Sequence, residues 1–229
     1  YIYWSSPIEN QAIQDVFKTS DGFTNYKYQF NPAAFNDENS GEGYDQTSGP
    51  GDGYDDEGDD WISFASGTME EGLGYIVMGK GSTFPFNISH ATNLEPGYTV
   101  SFMGQKVNNG DVEVSIYKDN SSVIDVWNTN LNFVGNPYPS SIDIGKLYDE
   151  NDANIETGFY FWAHSAPLGA TTGPNAYDFS NTSMKSGSVT LNGSNYEFTA
   201  ADPTYQSFEN IASGQGFFVL MKDGPAATG

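Results

Sequence analysis

Short runs in which apolar and polar residues alternate dominate this chain of 229 residues. Residues 26–30 (Tyr-Lys-Tyr-Gln-Phe) place aromatic rings on one face and polar groups on the other, as in a half-buried β-strand. Further strand-like runs cover residues 74–78, 84–88, 98–104, 112–117, 159–162, 188–191, 196–199 and 216–221. Because these runs recur about every 8–15 residues with turn residues between them, the pattern predicts an all-β fold, a β-sandwich or jelly-roll-like domain.

The connections between the runs predict one hairpin and a little helix. Asn109-Gly110 lies between two strand-like runs and favours the positive φ angles of a tight turn, which predicts a hairpin over residues 98–117. Residues 8–18 and 142–148 have weak helical periodicity and predict one or two short helical turns, the second capped by Asp143.

A degenerate repeat connects the two ends of the chain. Residues 5–8 (Ser-Ser-Pro-Ile) are similar to part of residues 138–143 (Tyr-Pro-Ser-Ser-Ile-Asp), and each string is followed by an aromatic strand. The spacing from Pro7 to Tyr28 equals that from Pro139 to Tyr160, at 21 residues. This similarity predicts an internal duplication. The alternative is chance similarity among short β segments.

The repeat also sets the expected domain organisation. Each half ends in a Gly-x-Gly-aromatic strand, at residues 72–75 and 214–217. We therefore expect pseudo-repeats over about 1–80 and 130–222, joined by the hairpin region. Either half alone has too few strands for a closed core, so both should pack as a single β-sandwich module with long loops over residues 1–229.

The composition then removes several functional classes. The chain has 30 acidic residues against 8 basic ones, all of them lysine, and a formal net charge of −22. Such a polyanion is a poor nucleic-acid binder and is repelled by anionic membranes. The absence of cysteine excludes disulfides and thiolate metal sites. No apolar stretch approaches the roughly 20 residues of a transmembrane helix, so membrane insertion is not expected.

The acidic residues concentrate in one segment, residues 36–60, which holds ten of them and no basic residue. Crowded carboxylates disfavour one another's ionisation, so a compact conformation needs a counter-charge. Ca²⁺ prefers such oxygen ligands, although the segment does not satisfy the EF-hand pattern. The alternative is a solvated loop. The candidate calcium ligands are Asp52, Asp55, Asp56, Glu57, Asp59 and Asp60.

Several longer strings resemble a known family. These are Phe-Val-Gly-Asn-Pro-Tyr-Pro-Ser-Ser-Ile-Asp at 133–143, Tyr-Phe-Trp-Ala-His at 160–164 and Ile-Ala-Ser-Gly-Gln-Gly-Phe-Phe-Val at 211–219. They are similar to a β-rich module of large surface proteins of Bacteroidota, especially flavobacteria, exported by the type IX secretion system. The resemblance implies an extracellular or cell-surface location, an adhesive or structural role, and contact with the secretion machinery during export. The start at Tyr1 suggests a fragment of a longer exported protein.

Catalytic chemistry is not expected, and the sequence favours a non-catalytic module. The two histidines, His90 and His164, are too few for a three-histidine zinc site, and no Gly-x-Ser-x-Gly motif is present. We therefore predict a calcium-stabilised structural or adhesive module that contacts other surface proteins or glycans.

Two alternatives to this function stay open. One is a carbohydrate-binding module of a polysaccharide-degrading system, which would stack sugars on exposed aromatic rings such as its tryptophans. The other is a subunit of an extracellular filament, with exposed edge strands at residues 1–4 or 216–221 completed by a neighbouring copy.

Overall fold

The fold is all-β, as the alternating pattern predicts. A computed structural model describes residues 2–33, 61–78, 100–104, 106–118, 130–164, 182–192, 195–200 and 209–222. These residues are mostly strands in three antiparallel sheets, with two short α-helices and one 3₁₀ turn. Among them no helix has the length and apolar character needed to cross a membrane.

The first sheet is built from the N-terminal part of the chain. Its four strands, in chain order, are β1 (Ile2–Trp4), β2 (Lys27–Phe30), β3 (Trp61–Ser63) and β4 (Tyr75–Val77). They are arranged in the order β1-β4-β2-β3, with every pairing antiparallel. Helix α1 (Ile13–Val16) and a 3₁₀ turn (Thr19–Asp21) connect β1 to β2.

The second large sheet is built from the C-terminal part. It contains β5 (Leu131–Gly135), β7 (Ile155–His164), β8 (Thr182–Asn192), β9 (Asn195–Ala200) and β11 (Gly216–Met221), in the order β5-β11-β7-β8-β9. A separate two-stranded sheet pairs β6 (Ile142–Asp143) with β10 (Asn210–Ile211). Helix α2 (Ile144–Asn151) follows β6 directly.

Both segments predicted to be helical contain a short helix, but the two helices are capped differently. The Asp143 carboxylate accepts a hydrogen bond from the Lys146 backbone N–H at 2.9 Å, which is the predicted N-cap of α2. At the other site Ala12 occupies the N-cap position and has no side chain that can accept such a bond. Helix α1 is four residues long, about one turn, and lies within the predicted segment 8–18.

The predicted hairpin over residues 98–117 is not found in the described part of that region, residues 100–104 and 106–118, which form no strand. Gly110 has the expected positive φ of 76°, but Asn109 does not share it. The backbone polar groups here bond elsewhere: Asn108 N–H donates to Pro7 O, and the Asn132 side chain bonds both polar backbone groups of Tyr117. Because these backbone groups of Asn108 and Tyr117 are already hydrogen-bonded to other segments, they are not available for the strand pairing of a hairpin.

Alternate residues of the central strands face two different cores. On β4, Tyr75 and Val77 belong to an outer core covered by α1, whereas Ile76 points to the other sheet. On β11, Phe217 and Val219 belong to a second outer core, covered by α2, whereas Phe218 again points inward. Both strands are therefore apolar on both faces, which explains their continuous apolar sequences.

The inward-facing residues form what we call the central aromatic cluster, which joins the two large sheets. Its contacts cross from sheet to sheet: Tyr3 lies 4.7 Å from Phe133, and Phe30 lies 5.2 Å from Phe218, between ring centroids in both cases. Edge-to-face pairs at such distances add about 0.5–1.5 kcal/mol each beyond simple burial. The members of the cluster are Tyr3, Tyr28, Phe30, Trp61, Ile76, Leu131, Phe133, Tyr160 and Phe218.

The two large sheets share one strand order. The order β1-β4-β2-β3 in the first sheet corresponds to β5-β11-β7-β8 in the second. In both sheets the strand that comes last in the chain lies between the first and the second, and the third lies beyond the second. The central rows also correspond, with Tyr3, Ile76 and Tyr28 aligned in one sheet and Phe133, Phe218 and Tyr160 in the other. Common descent of the halves stays a prediction. The jelly-roll form is not confirmed, because each sheet takes its described strands from one half of the chain.

Hydrogen bonds link the halves reciprocally. The Ser5 N–H donates to Gly214 O at 2.7 Å, and the Gly135 N–H donates to Gly72 O at 2.8 Å. Both acceptor glycines have positive φ, 68° and 78°, a conformation that disfavours other residues. The end of each first strand is thus held by the glycine turn of the opposite half.

Ser5 and Gly135, the donors of these two hydrogen bonds, also lie close to each other. A Cβ added to Gly135 would fall well inside contact distance of Ser5 Cβ and would lie 3.2 Å from Gln215 O. We expect Gly135→Ala to lower the free energy of unfolding by about 1–3 kcal/mol, because the extra methyl group overpacks a close backbone approach. Urea denaturation would measure the change.

The matched test is the double variant Ser5→Gly/Gly135→Ala, which should recover most of the lost stability. Ser5 Oγ is buried without a hydrogen-bond partner, so its removal vacates the space at little cost. Gly158→Ala serves as a control, because its added Cβ would first meet the Tyr160 hydroxyl at 3.1 Å. Equal losses in the single and double variants would contradict the proposed steric origin.

Candidate functional site

The six predicted calcium ligands, Asp52, Asp55, Asp56, Glu57, Asp59 and Asp60, lie outside the described residues. The structure does fix where their segment is attached. Phe30 at the end of β2 and Trp61 at the start of β3 are paired across the sheet, with ring centroids 5.1 Å apart. The two positions that flank residues 31–60 in the sequence are therefore neighbours in the first sheet. Within the described ranges no group of three or more potential ligands is assembled.

Two of the four tryptophans, Trp4 and Trp61, serve packing. Trp4 lies against Phe17 and Phe102, with ring centroids 5.4 and 6.1 Å away, and Trp61 belongs to the central aromatic cluster. The described large apolar side chains that are exposed include one aromatic ring, that of Tyr26. A row of exposed coplanar rings, which a stacking platform for sugars requires, is therefore not formed by the described residues.

The histidine and edge-strand predictions meet different outcomes. His90 lies outside the described residues, and His164 ends β7, where its backbone pairs with Thr182.

Residues 216–221 form β11, which is hydrogen-bonded to β5 on one side and to β7 on the other. The prediction that this strand offers a free edge is wrong, because it is internal to the sheet. Strand β1 does lie at the edge of its sheet.

A cleft at the other end of β2 contains the least expected ionisable group, Lys27. This Lys27 cleft has a volume of about 470 Å³ and lies between the segment that follows α1 and the residues after β3. Its lining consists of Gln14, Phe17, Lys18, Thr19, Ser20, Asn25, Lys27, Ala65 and Ser66. Apart from Phe17 and Ala65, these side chains carry amide, hydroxyl or ammonium groups. Seven of the nine lining side chains therefore carry a polar group, and two of them are lysines.

Lys27 is buried because β2 is covered on both faces. Its backbone is fixed by pairing with Val77 and by the Phe64 N–H, which donates to Lys27 O at 2.7 Å. Tyr28 and Phe30 face the second sheet, so Lys27 points to the outer face. Only 1% of its surface is exposed.

The Lys27 ammonium has little compensation for its burial. Its Nζ donates one hydrogen bond, to Thr24 O at 2.7 Å, and no carboxylate pairs with it in the described part of the chain. An ammonium has three protons to donate, and burying a charge without a partner is costly. Loss of hydration accordingly lowers the Lys27 pKa below its ordinary value.

The sequence pattern placed Lys27 on the polar face of a half-buried strand, and it did not identify the residue as part of a site. A signal was nevertheless present in β4, the neighbour of β2. Its apolar residues Tyr75, Ile76 and Val77 are consecutive, which indicates burial on both faces. A strand paired with β4 then has both faces covered as well.

The comparisons with known proteins identify a family without a described activity. Residues 1–229 match the family described as Domain of unknown function (DUF8693), and the chain belongs to that family. No curated protein and no solved structure matches the chain.

The burial of Lys27 makes a prediction about stability and pH. Its pKa is lowered in the folded state, so the folded protein carries the cost of a buried charge at neutral pH and loses that cost as the pH rises toward the ordinary value of 10.5. We expect Lys27→Met to be at least as stable as the wild type at neutral pH, with an advantage that shrinks at alkaline pH. Urea unfolding at several pH values measures it.

Lys146→Met provides the control, because Lys146 is an exposed lysine on α2. It should change stability little and show no comparable dependence on pH. If Lys27→Met instead loses about 2 kcal/mol at neutral pH, the hydrogen bond to Thr24 outweighs the cost of the buried charge, and the prediction is wrong.

Proposed function

We propose that this chain is a non-catalytic structural or adhesive module of an extracellular bacterial surface protein, stabilised by calcium. The observation that supports it best is the joining of the two large sheets. The central aromatic cluster and the reciprocal hydrogen bonds of Ser5 and Gly135 tie strands from both halves into one body. A body of this kind holds the points at which its loops are attached in fixed relative positions, as a surface-presenting module requires.

The resemblance to surface modules of Bacteroidota supports the same proposal. It supplies the location at the cell surface and export by the type IX secretion system, with other surface proteins or glycans as partners. The net charge of −22 is compatible with this role, because a strongly charged surface favours solubility and disfavours nonspecific association.

The acidic segment, residues 36–60, is the part of the chain that favours a calcium ion. Residues 36–60 hold ten carboxylates, and crowded like charges repel one another. Phe30 and Trp61, which flank residues 31–60 in the sequence, are paired in the first sheet. A divalent cation held by Asp52, Asp55, Asp56, Glu57, Asp59 and Asp60 would relieve that repulsion. An ion that binds the folded state alone adds to the free energy of unfolding.

Thermal unfolding with Ca²⁺ and with EDTA tests the calcium part. We expect Ca²⁺ to raise the melting temperature of the wild type, with a shift of several degrees if the site is nearly saturated. The shift should disappear when the five candidate aspartates are changed to Asn and Glu57 to Gln. Mg²⁺ at the same ionic strength controls for screening of the negative charge.

Removing six negative charges from a polyanion can stabilise it without any metal effect, so a charge-matched control is needed. The control variant changes five exposed aspartates to Asn and Glu113 to Gln, and it should keep the response to Ca²⁺. Equal responses of both variants, or none in the wild type, would contradict a calcium site in the acidic segment. The five control aspartates are Asp15, Asp21, Asp111, Asp149 and Asp152.

A second experiment addresses the adhesive role. The purified chain is incubated with immobilised bacterial polysaccharides and with surface-protein extracts, and both its retention and the polysaccharide length are measured. We expect retention on at least one of these materials and unchanged polymer length, because an adhesive module binds without turnover. Shortening of the polysaccharide by the wild type would contradict a non-catalytic function.

A further inference from the structure

We propose that the Lys27 cleft binds a carboxylate group carried by a small hydroxylated ligand. The inference rests on the geometry around Lys27 and does not depend on the calcium site or on the structural role proposed above. Its starting point is Lys27, a buried lysine that is among the lining residues of the cleft and whose ammonium makes one hydrogen bond, to Thr24 O.

An anion is the ligand that this ammonium lacks. Two of its three protons have no acceptor among the described residues, and the nearby Asp21 is an exposed residue that accepts from the Ser20 hydroxyl at 3.4 Å. A negative group in the cleft would supply both the missing acceptor and the missing counter-charge. Charge-assisted hydrogen bonds of this type are about twice as strong as neutral ones.

The charge of the ligand follows from the surroundings. One buried ammonium balances one negative charge, and the second lysine of the cleft, Lys18, is exposed and so remains hydrated. The rest of the protein carries a large negative charge, which repels a dianion more strongly than a monoanion. A carboxylate therefore fits this site better than a phosphate dianion.

The rim of the cleft favours a ligand with hydroxyl groups. Thr19, Ser20, Asn25 and Ser66 line it with exposed side chains that can both donate and accept hydrogen bonds. A sugar acid combines one carboxylate with several hydroxyls, and the volume of about 470 Å³ is within the usual size range of small-ligand sites. We therefore choose glucuronate as the probe, with glucose as its neutral analogue.

The test is a titration of the ¹⁵N-labelled full chain with glucuronate, glucose, acetate and inorganic phosphate, followed by amide chemical shifts. Glucuronate should shift amides of residues 14–27 and 64–67 with saturation in the millimolar range. Acetate should shift the same amides at higher concentration. Glucose should shift them little, because it lacks the carboxylate. Phosphate should bind more weakly than glucuronate.

Three lysine variants decide whether Lys27 is responsible. Lys27→Met should weaken glucuronate binding roughly tenfold or more, the effect expected for losing a hydrogen bond to a charged group. Lys18→Met should weaken it by a smaller factor, and the distant Lys146→Met should leave it unchanged. The amide spectrum of each variant shows in the same experiment whether the fold is retained.

Three outcomes would overturn the inference: no glucuronate shifts around the cleft in the wild type, equal shifts with glucose, or unchanged binding by folded Lys27→Met. Preferential binding of phosphate would also overturn it, because the charge argument would then be wrong. If Lys27→Met does not fold, selective binding of carboxylates by the wild type and weakening by Lys18→Met still decide the question. None of these readouts depends on added calcium.

Discussion

The packing of aromatic rings between the two large sheets is the interaction on which the rest of the fold depends. β4 is apolar on both faces, so neither face can be left to water. Its outer face is covered by α1, but Ile76 can be buried only if a second sheet lies against the first. The second sheet meets the same requirement through Phe133 and Phe218. Large rings suit this role, because each buries about 150–250 Å².

The same packing explains why the two halves exchange backbone hydrogen bonds. When the sheets approach closely enough for Tyr3 to contact Phe133, the ends of β1 and β5 also come together. Their free N–H groups then find the carbonyls of Gly214 and Gly72 in the opposite half. A close approach at this point leaves no room for a side chain at residue 135, beside Ser5. The contact between the two sheets thus explains both the packing of the rings and the need for glycine at position 135.

The distribution of charge separates the two proposed binding regions. Carboxylates are concentrated in the segment that leaves the first sheet between Phe30 and Trp61, which is where a cation would be needed. Lys27 lies at the opposite end of β2 and pairs with no carboxylate among the described residues, which is where an anion would be needed. Lys27 belongs to β2, which is held inside its sheet between β4 and β3.

The sequence by itself determined the features that arise from neighbours along the chain. Alternation and apolar runs fixed the all-β class and the strands at residues 27–30 and 216–221, and Asp143 fixed the start of α2. Tertiary structure alone decided the internal position of β11, the loss of the hairpin near Asn109 and the burial of Lys27. The physical reason is that periodicity and capping are local, whereas strand partners and the covering of a second face depend on segments distant in sequence.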